Sequence, residues 1–310
     1  DRGTSPKAIG LMNNVGSYEL GRVPDKTCEA EGNGKIALIS LTTDLAGIMD
    51  KANDIEDVRL DWEILAHTSN GQTYSINHGS IGTFKRTRQK NKKDKENDSD
   101  RAQWTFNHGL PNSVWNEFRE LMYTPLVGES DIVYDIDITL VDTGHFTKLA
   151  YNFITSIKDR KIFGIKGDTV EKPRATDKNS PIIKHSQENK GLLYILDVNL
   201  LKEQAAANME LICGTDGTQP SGFMNFPQPA EGKYNLKNFF SHYESEHRIP
   251  TIKNGQEVGF SWKKKREENH YWDIYNYGMA SREIFIADLK RQEPKHRDLS
   301  WLSYCELINY

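Results

Sequence analysis

"DIVYDIDITLVDTGHFTKLAYNFITSIKDR" occupies residues 131–160 and decides the fold class. Its first half alternates: Ile132, Tyr134, Ile136, Ile138 and Leu140 share one face of a strand over 131–142 that closes on Asp142. Past Thr143 the period changes. Phe146, Leu149, Ala150, Phe153, Ile154 and Ile157 recur at helical spacing within 144–160. "KIFGIKG" at 161–167 is the next strand. Two strands joined through a helix lie parallel, so the segment is a βαβ unit and the fold is α/β.

Upstream elements extend the sheet. "KIALISLTTD" (35–44) is a short apolar strand ending in Asp44. "VRLDWEILA" (58–66) sets Val58, Leu60, Trp62, Ile64 and Ala66 against Arg59, Asp61 and Glu63, the pattern of a half-buried strand. The turn residues "TSNG" then lead into "GQTYSINHGSIGTF" (71–84), which pairs with it as a hairpin. "NSVWNEFRELMY" (112–123) is a capped helix. Downstream come a polar loop (168–190), a strand (192–198), a helix (199–212) and a Gly/Pro-rich loop (214–233). A helix (235–246), a strand (257–263) and a final helix at about 269–290 follow. The expected architecture is a mixed sheet with helices on its faces over residues 35–290, preceded by a linker or N-terminal arm (1–34) and followed by a polar tail (291–310).

Composition narrows the function classes. Hydrophobic residues make up 36% and charged residues 27% of the 310, and no apolar run approaches the roughly 18–20 residues of a membrane span. The chain opens at Asp1 without a secretory signal pattern, as expected of a fragment of a longer polypeptide. Three cysteines, far apart and without a CxxC pair, fit a reducing compartment. Net charge is −4, yet bases cluster in KRTRQKNKKDK (85–95, including Lys85, Arg86 and Arg88) and in KKKR (263–266, including Lys263, Lys264 and Lys265). Such runs are either solvated loops and strand edges or patches that track phosphates. No P-loop, HExxH or GxSxG occurs, and the Gly-rich "GNGKIA" (32–37) precedes a strand where a dinucleotide turn would follow one.

Two acids stand at strand ends, where ligand sites of α/β sheets gather: Asp44, and Asp142 in "VDTGH". On neighbouring parallel strands their like charges raise a pKa or call for a hard cation with oxygen ligands. The bland alternative makes each a loop-side cap. A third acid, Asp273 in "ENHYWDIYNYGMA" (268–280), shares its helix direction with Asn269, His270, Asn276, Tyr277, Ala280 and Ile284. Tyr271, Tyr275, Met279, Phe285 and Ile286 point the other way, so Asp273 lies opposite the most apolar face, on a side that is polar without being highly charged. His145 and His270 each sit near one of these acids, although a lone histidine is more often a surface or capping residue.

Taken in order, "IALISLTTD", "ITLVDTGHFTKLAYNFI", "KIFGIKGD" and "GFSWKKKREENHYWDIYNYGMA" resemble the nuclease domain of the terminase large subunit of tailed bacteriophages, lambda-like branch. "FPQ" at 226–228 agrees, and the likeness spans about 35–287. Departures are the stretch "LAGIMDKANDIED" after Asp44, the closing Glu-Asn-His-Tyr-Trp-Asp, and the basic loop at 85–101. The resemblance implies an RNase H-like fold with strand order 3-2-1-4-5, and Asp44, Asp142 and Asp273 as catalytic acids holding two Mg²⁺ or Mn²⁺ ions. It implies cleavage of double-stranded DNA during genome packaging in the host cytoplasm. Partners would be the portal protein, the terminase small subunit and an ATPase domain of the same polypeptide, with no membrane. Lys166, at the strand-end Lys-Gly, and the basic runs would contact DNA, with His270 or His145 assisting proton transfer. Two rivals remain: another RNase H-like nucleotidyl transfer enzyme, such as a resolvase or transposase core, and a non-catalytic module docking DNA or portal.

Overall fold

A computed structural model describes residues 6–50, 55–82, 104–168, 180–186, 193–266 and 269–308. The basic run at 85–95, with Lys85, Arg86 and Arg88, lies outside them. The described strands are β1 (Ile36–Asp50), β2 (Ile55–Thr68), β3 (Thr73–Gly82), β4 (Leu126–Val127), β5 (Val133–Tyr134), β6 (Ile138–Asp142), β7 (Ile162–Asp168), β8 (Ile182–Ser186), β9 (Leu193–Asp197), β10 (Met224–Asn225), β11 (Glu246–Lys253) and β12 (Gln256–Lys264). The described helices are α1 (Asp25–Ala30), α2 (Val114–Tyr123), α3 (Thr147–Ser156), α4 (Val198–Asn208), α5 (Leu236–Ser241), α6 (His270–Met279), α7 (Ser281–Gln292) and α8 (Trp301–Ile308).

Eight strands form one mixed sheet in the order β10-β3-β2-β1-β6-β7-β9-β8. β1, β2 and β3 are an antiparallel meander, while β1, β6, β7 and β9 run parallel. The five strands expected first therefore stand in the order 3-2-1-4-5, β6 and β7 being the fourth and fifth. Strand alternation sends side chains to two separate cores. Leu38, Ile138 and Leu140 enter one, with α4, α6 and α7; Ile39, Leu41 and Val141 enter the other, with α2 and α3. On the second face Trp115 of α2 stacks on Phe153 of α3, ring centroids 4.4 Å apart at 11°.

Several expectations are corrected. β1 does not end at Asp44 but runs on to Asp50, so the supposed excursion after Asp44 is a longer β1–β2 hairpin. The strand read over 131–142 is two pieces: Val133–Tyr134 turns away to pair with Leu126–Val127, leaving Ile132 and Val133 exposed, and only Ile138–Asp142 joins the sheet. Asp137 marks the break, its carboxylate accepting from the Ile39 amide at 2.7 Å. α3 begins at Thr147, because Phe146 takes a left-handed φ of 50° and packs on Phe106 instead of joining the helical stripe. The polar loop over 168–190 contains β8, and β11 replaces the end of the helix read over 235–246, pairing with β12 across an Asn254–Gly255 turn. The final helix breaks at Ala280, and Ser281 turns its hydroxyl to His67 Nε2 at 2.9 Å. The N-terminal segment is built into the fold through buried Leu11, Tyr18, Val23 and Cys28; the C-terminal tail packs Tyr304 of α8 on Phe285. Burial of apolar side chains among otherwise polar residues holds both ends down.

Candidate active site

β2 places Asp61 directly opposite Asp44 of β1. On the other side β1 pairs with β6 in a register running from Ser40↔Ile138 to Thr43↔Val141, so Asp142 stands level with Asp44 one step beyond the last pair. Three acids thus line up across β2, β1 and β6 on one face. α6 packs across β1 and β2 over that face. It comes very close at Gly278, where a Cβ would stand 2.6 Å from Leu65 Cδ1. This explains why the polar side of β2 is not wet: Asp61 and Glu63 are only 3% and 0% exposed. It also explains why α6 is buried nearly all round, from Trp272 to Met279.

α6 brings two site groups. His270 Nδ1 lies 2.8 Å from Asp44 Oδ2 and 3.7 Å from Asp61 Oδ2. Asp61 also takes Arg59 at 2.9 Å and the Ser80 hydroxyl at 2.5 Å. Asp273, one turn on, accepts from Lys202 of α4 at 2.9 Å on Oδ1 and from the Asn269 amide at 2.5 Å on Oδ2. Lys202, buried, also meets Glu246 of β11 at 2.6 Å, and Asn269 donates to Glu246 at 3.0 Å. Asp142 accepts the Gly144 amide at 2.8 Å.

Electrostatics follows from this crowding. Burial raises the Asp142 carboxyl to about 8, and the Asp44 and Asp273 charges push in the same direction. Burial likewise raises Asp44, with the charges of Asp273 and Asp61 adding to it and the His270 contact opposing. For Lys202 burial works against the ammonium, but Asp273 and Glu246 outweigh it and lift the pKa. For His270 burial is outweighed by the Asp44 hydrogen bond and charge, so imidazolium is favoured. Tyr277 is raised first by burial, then by Asp142 and Asp273.

The three acids named from sequence therefore share one electrostatic neighbourhood, although among the described residues no three His, Cys, Asp or Glu side chains form a ready-made metal nest. The donor chemistry of Asp44 and Asp142 fits a hard cation: two oxygen donors on adjacent strands, each destabilised as an anion by burial and by neighbouring carboxylates. Asp273 is engaged by a cation already, the Lys202 ammonium. His145 is exposed and packs on Phe146 with ring centroids 4.1 Å apart. Lys166 is exposed at the end of β7, and the next residue must be glycine because a Cβ there would meet Tyr277 Oη at 2.8 Å. Lys263, Lys264 and Lys265 are exposed at the end of β12, and Lys264 Nζ reaches Asn269 Oδ1 at 2.8 Å.

Sequence reasoning missed Asp61, Lys202 and Glu246. Asp61 sits on a strand face that alternation alone assigns to solvent, and Lys202 is an ordinary polar position of its helix. Only Asn269 carried a signal, as part of the closing motif.

This frame matches the family model of the terminase large subunit gpA endonuclease domain over residues 1–294, and the chain belongs to that family. With the family comes the role of a nuclease domain in phage DNA packaging. No curated protein and no solved structure gives a significant match. Among the described residues no helix is long and apolar enough to cross a membrane.

Proposed function

We propose that this domain is a metal-dependent endonuclease of RNase H-like fold that cuts double-stranded DNA as a packaging terminase matures its genome. It would work in the host cytoplasm beside portal protein, small subunit and an ATPase domain of the same polypeptide. The observation that carries the reading is the placement of Asp44 and Asp142 side by side on parallel β1 and β6, both with raised pKa values. With Asp273 they would hold two Mg²⁺ or Mn²⁺ ions. Divalent ions bound there supply a water of lowered pKa and neutralise charge on the phosphate.

The chain's own side chains perform the remaining tasks. His270, at 2.8 Å, holds Asp44 in one orientation and favours its ionised form. Asn269 fixes Asp273 and is itself fixed by Lys264 and Glu246, which ties the helix acid to the β11–β12 hairpin. Lys166 and Lys263, both exposed, attract the DNA backbone without reading sequence. Asp44→Asn tests the reading: duplex cleavage with Mn²⁺ should disappear while the far-ultraviolet circular dichroism stays unchanged. Wild-type cleavage by this variant would overturn it. The Lys202–Asp273 contact favours a second reading, a DNA-docking module whose acids are neutralised internally. Such a module would bind duplex DNA but take up no Mn²⁺.

A further inference from the structure

A cavity of about 1000 Å³ opens beside the acid row, between the edge of β3 and the segment that leads into α5. One wall is aromatic. His78 of β3 has its ring centroid 4.3 Å from Phe239 and 5.2 Å from Tyr271, and Tyr271 lies 4.9 Å from Phe239. The lining also includes Lys233 and Lys237, both exposed. The cavity is continuous with the acids through hydrogen bonds. Tyr271 and Ser80 both line it, and Ser80 donates to Asp61 at 2.5 Å. Asp61 in turn neighbours His270, which holds Asp44.

We propose, on the reading of this domain as a DNA nuclease, that this cavity is a nucleotide subsite. It would take one unpaired nucleotide next to the cleavage position, base against the His78–Tyr271 wall and flanking phosphates at Lys233 and Lys237. A phosphate backbone alone has no use for an aromatic wall. A paired base hides both of its faces in the stack, and only an unstacked base offers a π-face to these rings. The two lysines match the charge that such a nucleotide carries on either side. The cavity is at the upper end of the size range of small-molecule pockets, enough for a nucleotide with its neighbouring phosphates.

The test measures affinity by fluorescence anisotropy in EDTA. Two 20-base-pair duplexes are compared, one with a single-nucleotide bulge and one with an abasic bulge at the same place. The wild-type domain should prefer the bulge that carries a base by about tenfold, the loss of one base–aromatic stack. His78→Ala should erase the preference and His78→Phe should keep it. The exposed pair Lys233→Ala/Lys237→Ala should weaken both duplexes alike and flatten the slope of log affinity against log salt by about 2. Equal wild-type affinity for the two duplexes, or a His78→Ala variant that folds and keeps the preference, would overturn the subsite. Asp44→Asn separates the two ideas. It should keep the base preference while losing cleavage, so a preference without any metal-dependent cleavage by the wild type refutes the nuclease reading, and cleavage without a preference refutes the subsite alone.

Discussion

The two faces of the central sheet are buried to a similar degree and built from different chemistry. Under α2 and α3 the sheet presents Ile39, Leu41, Ile64 and Val141 to Trp115, Phe118 and Phe153. Under α6 the middle strands present Ser40, Thr42, Asp44, Asp61 and Glu63, all but Asp44 at most 3% exposed. Burial of carboxylates opposes folding unless each finds a partner. Both faces carry an apolar core, and the second in addition holds charges in place at a cost. That division is what a site of pressed-together acids requires, and it predicts different responses to mutation at the apolar and the charged positions.

The largest stability effect belongs to the apolar face. Trp115→Ala should lower unfolding free energy by about 3–5 kcal/mol, because the residue is fully buried and stacked on Phe153; chemical denaturation measures it. A loss under about 1 kcal/mol would mean that the core on this face is not tightly packed around Trp115. On the polar face Lys202→Met leaves buried Glu246 and half-buried Asp273 without their shared cation. It should cost roughly 3 kcal/mol without metal, and Mn²⁺ should recover more stability in the variant than in the wild type, read as the rise in melting temperature. An unchanged melting temperature in both conditions would remove Lys202 from the account.

The remaining effect is the one with reversed sign. Burial pushes the Glu63 carboxyl up to about 8, with only the Ser75 hydroxyl, at 2.7 Å, opposing. A raised carboxyl binds its proton more tightly folded than unfolded, so wild-type stability falls as pH rises from the ordinary Glu value near 4.5 through about 8. Glu63→Gln removes that titration. The variant should match the wild type near pH 5 and exceed it, by up to roughly 4 kcal/mol, near pH 8.5 in urea unfolding. Parallel pH profiles would show that Glu63 stays ionised.

Much of this comparison is legible in the residues. Alternation places β2 and β3 and pairs them, and the switch of period after Asp142 separates β6 from α3. Acids carried on apolar strands marked Asp44 and Asp142, and the fold sets those strands side by side. Other features depend on packing that no local pattern encodes. Arg59, Asp61 and Glu63 alternate as a solvent face does, and only the docking of α6, some two hundred residues on, turns that face inward. Lys202 and Glu246 come from α4 and β11, elements whose rotation about their own axes is set by what they pack against. Residues 131–137 keep a strand period yet leave the sheet, because Asp137 caps the Ile39 amide and the chain before it folds back on Leu126–Val127.

Isothermal titration with Mn²⁺ probes the polar face most directly. Wild-type protein should bind the ion with release of protons near pH 7, since the Asp142 carboxyl is raised to about 8, and Asp142→Asn should lose both the binding and the proton release. Mn²⁺ uptake that is absent in the wild type, or undiminished in Asp142→Asn, would contradict the claim that the acids of β1 and β6 exist to hold a divalent cation.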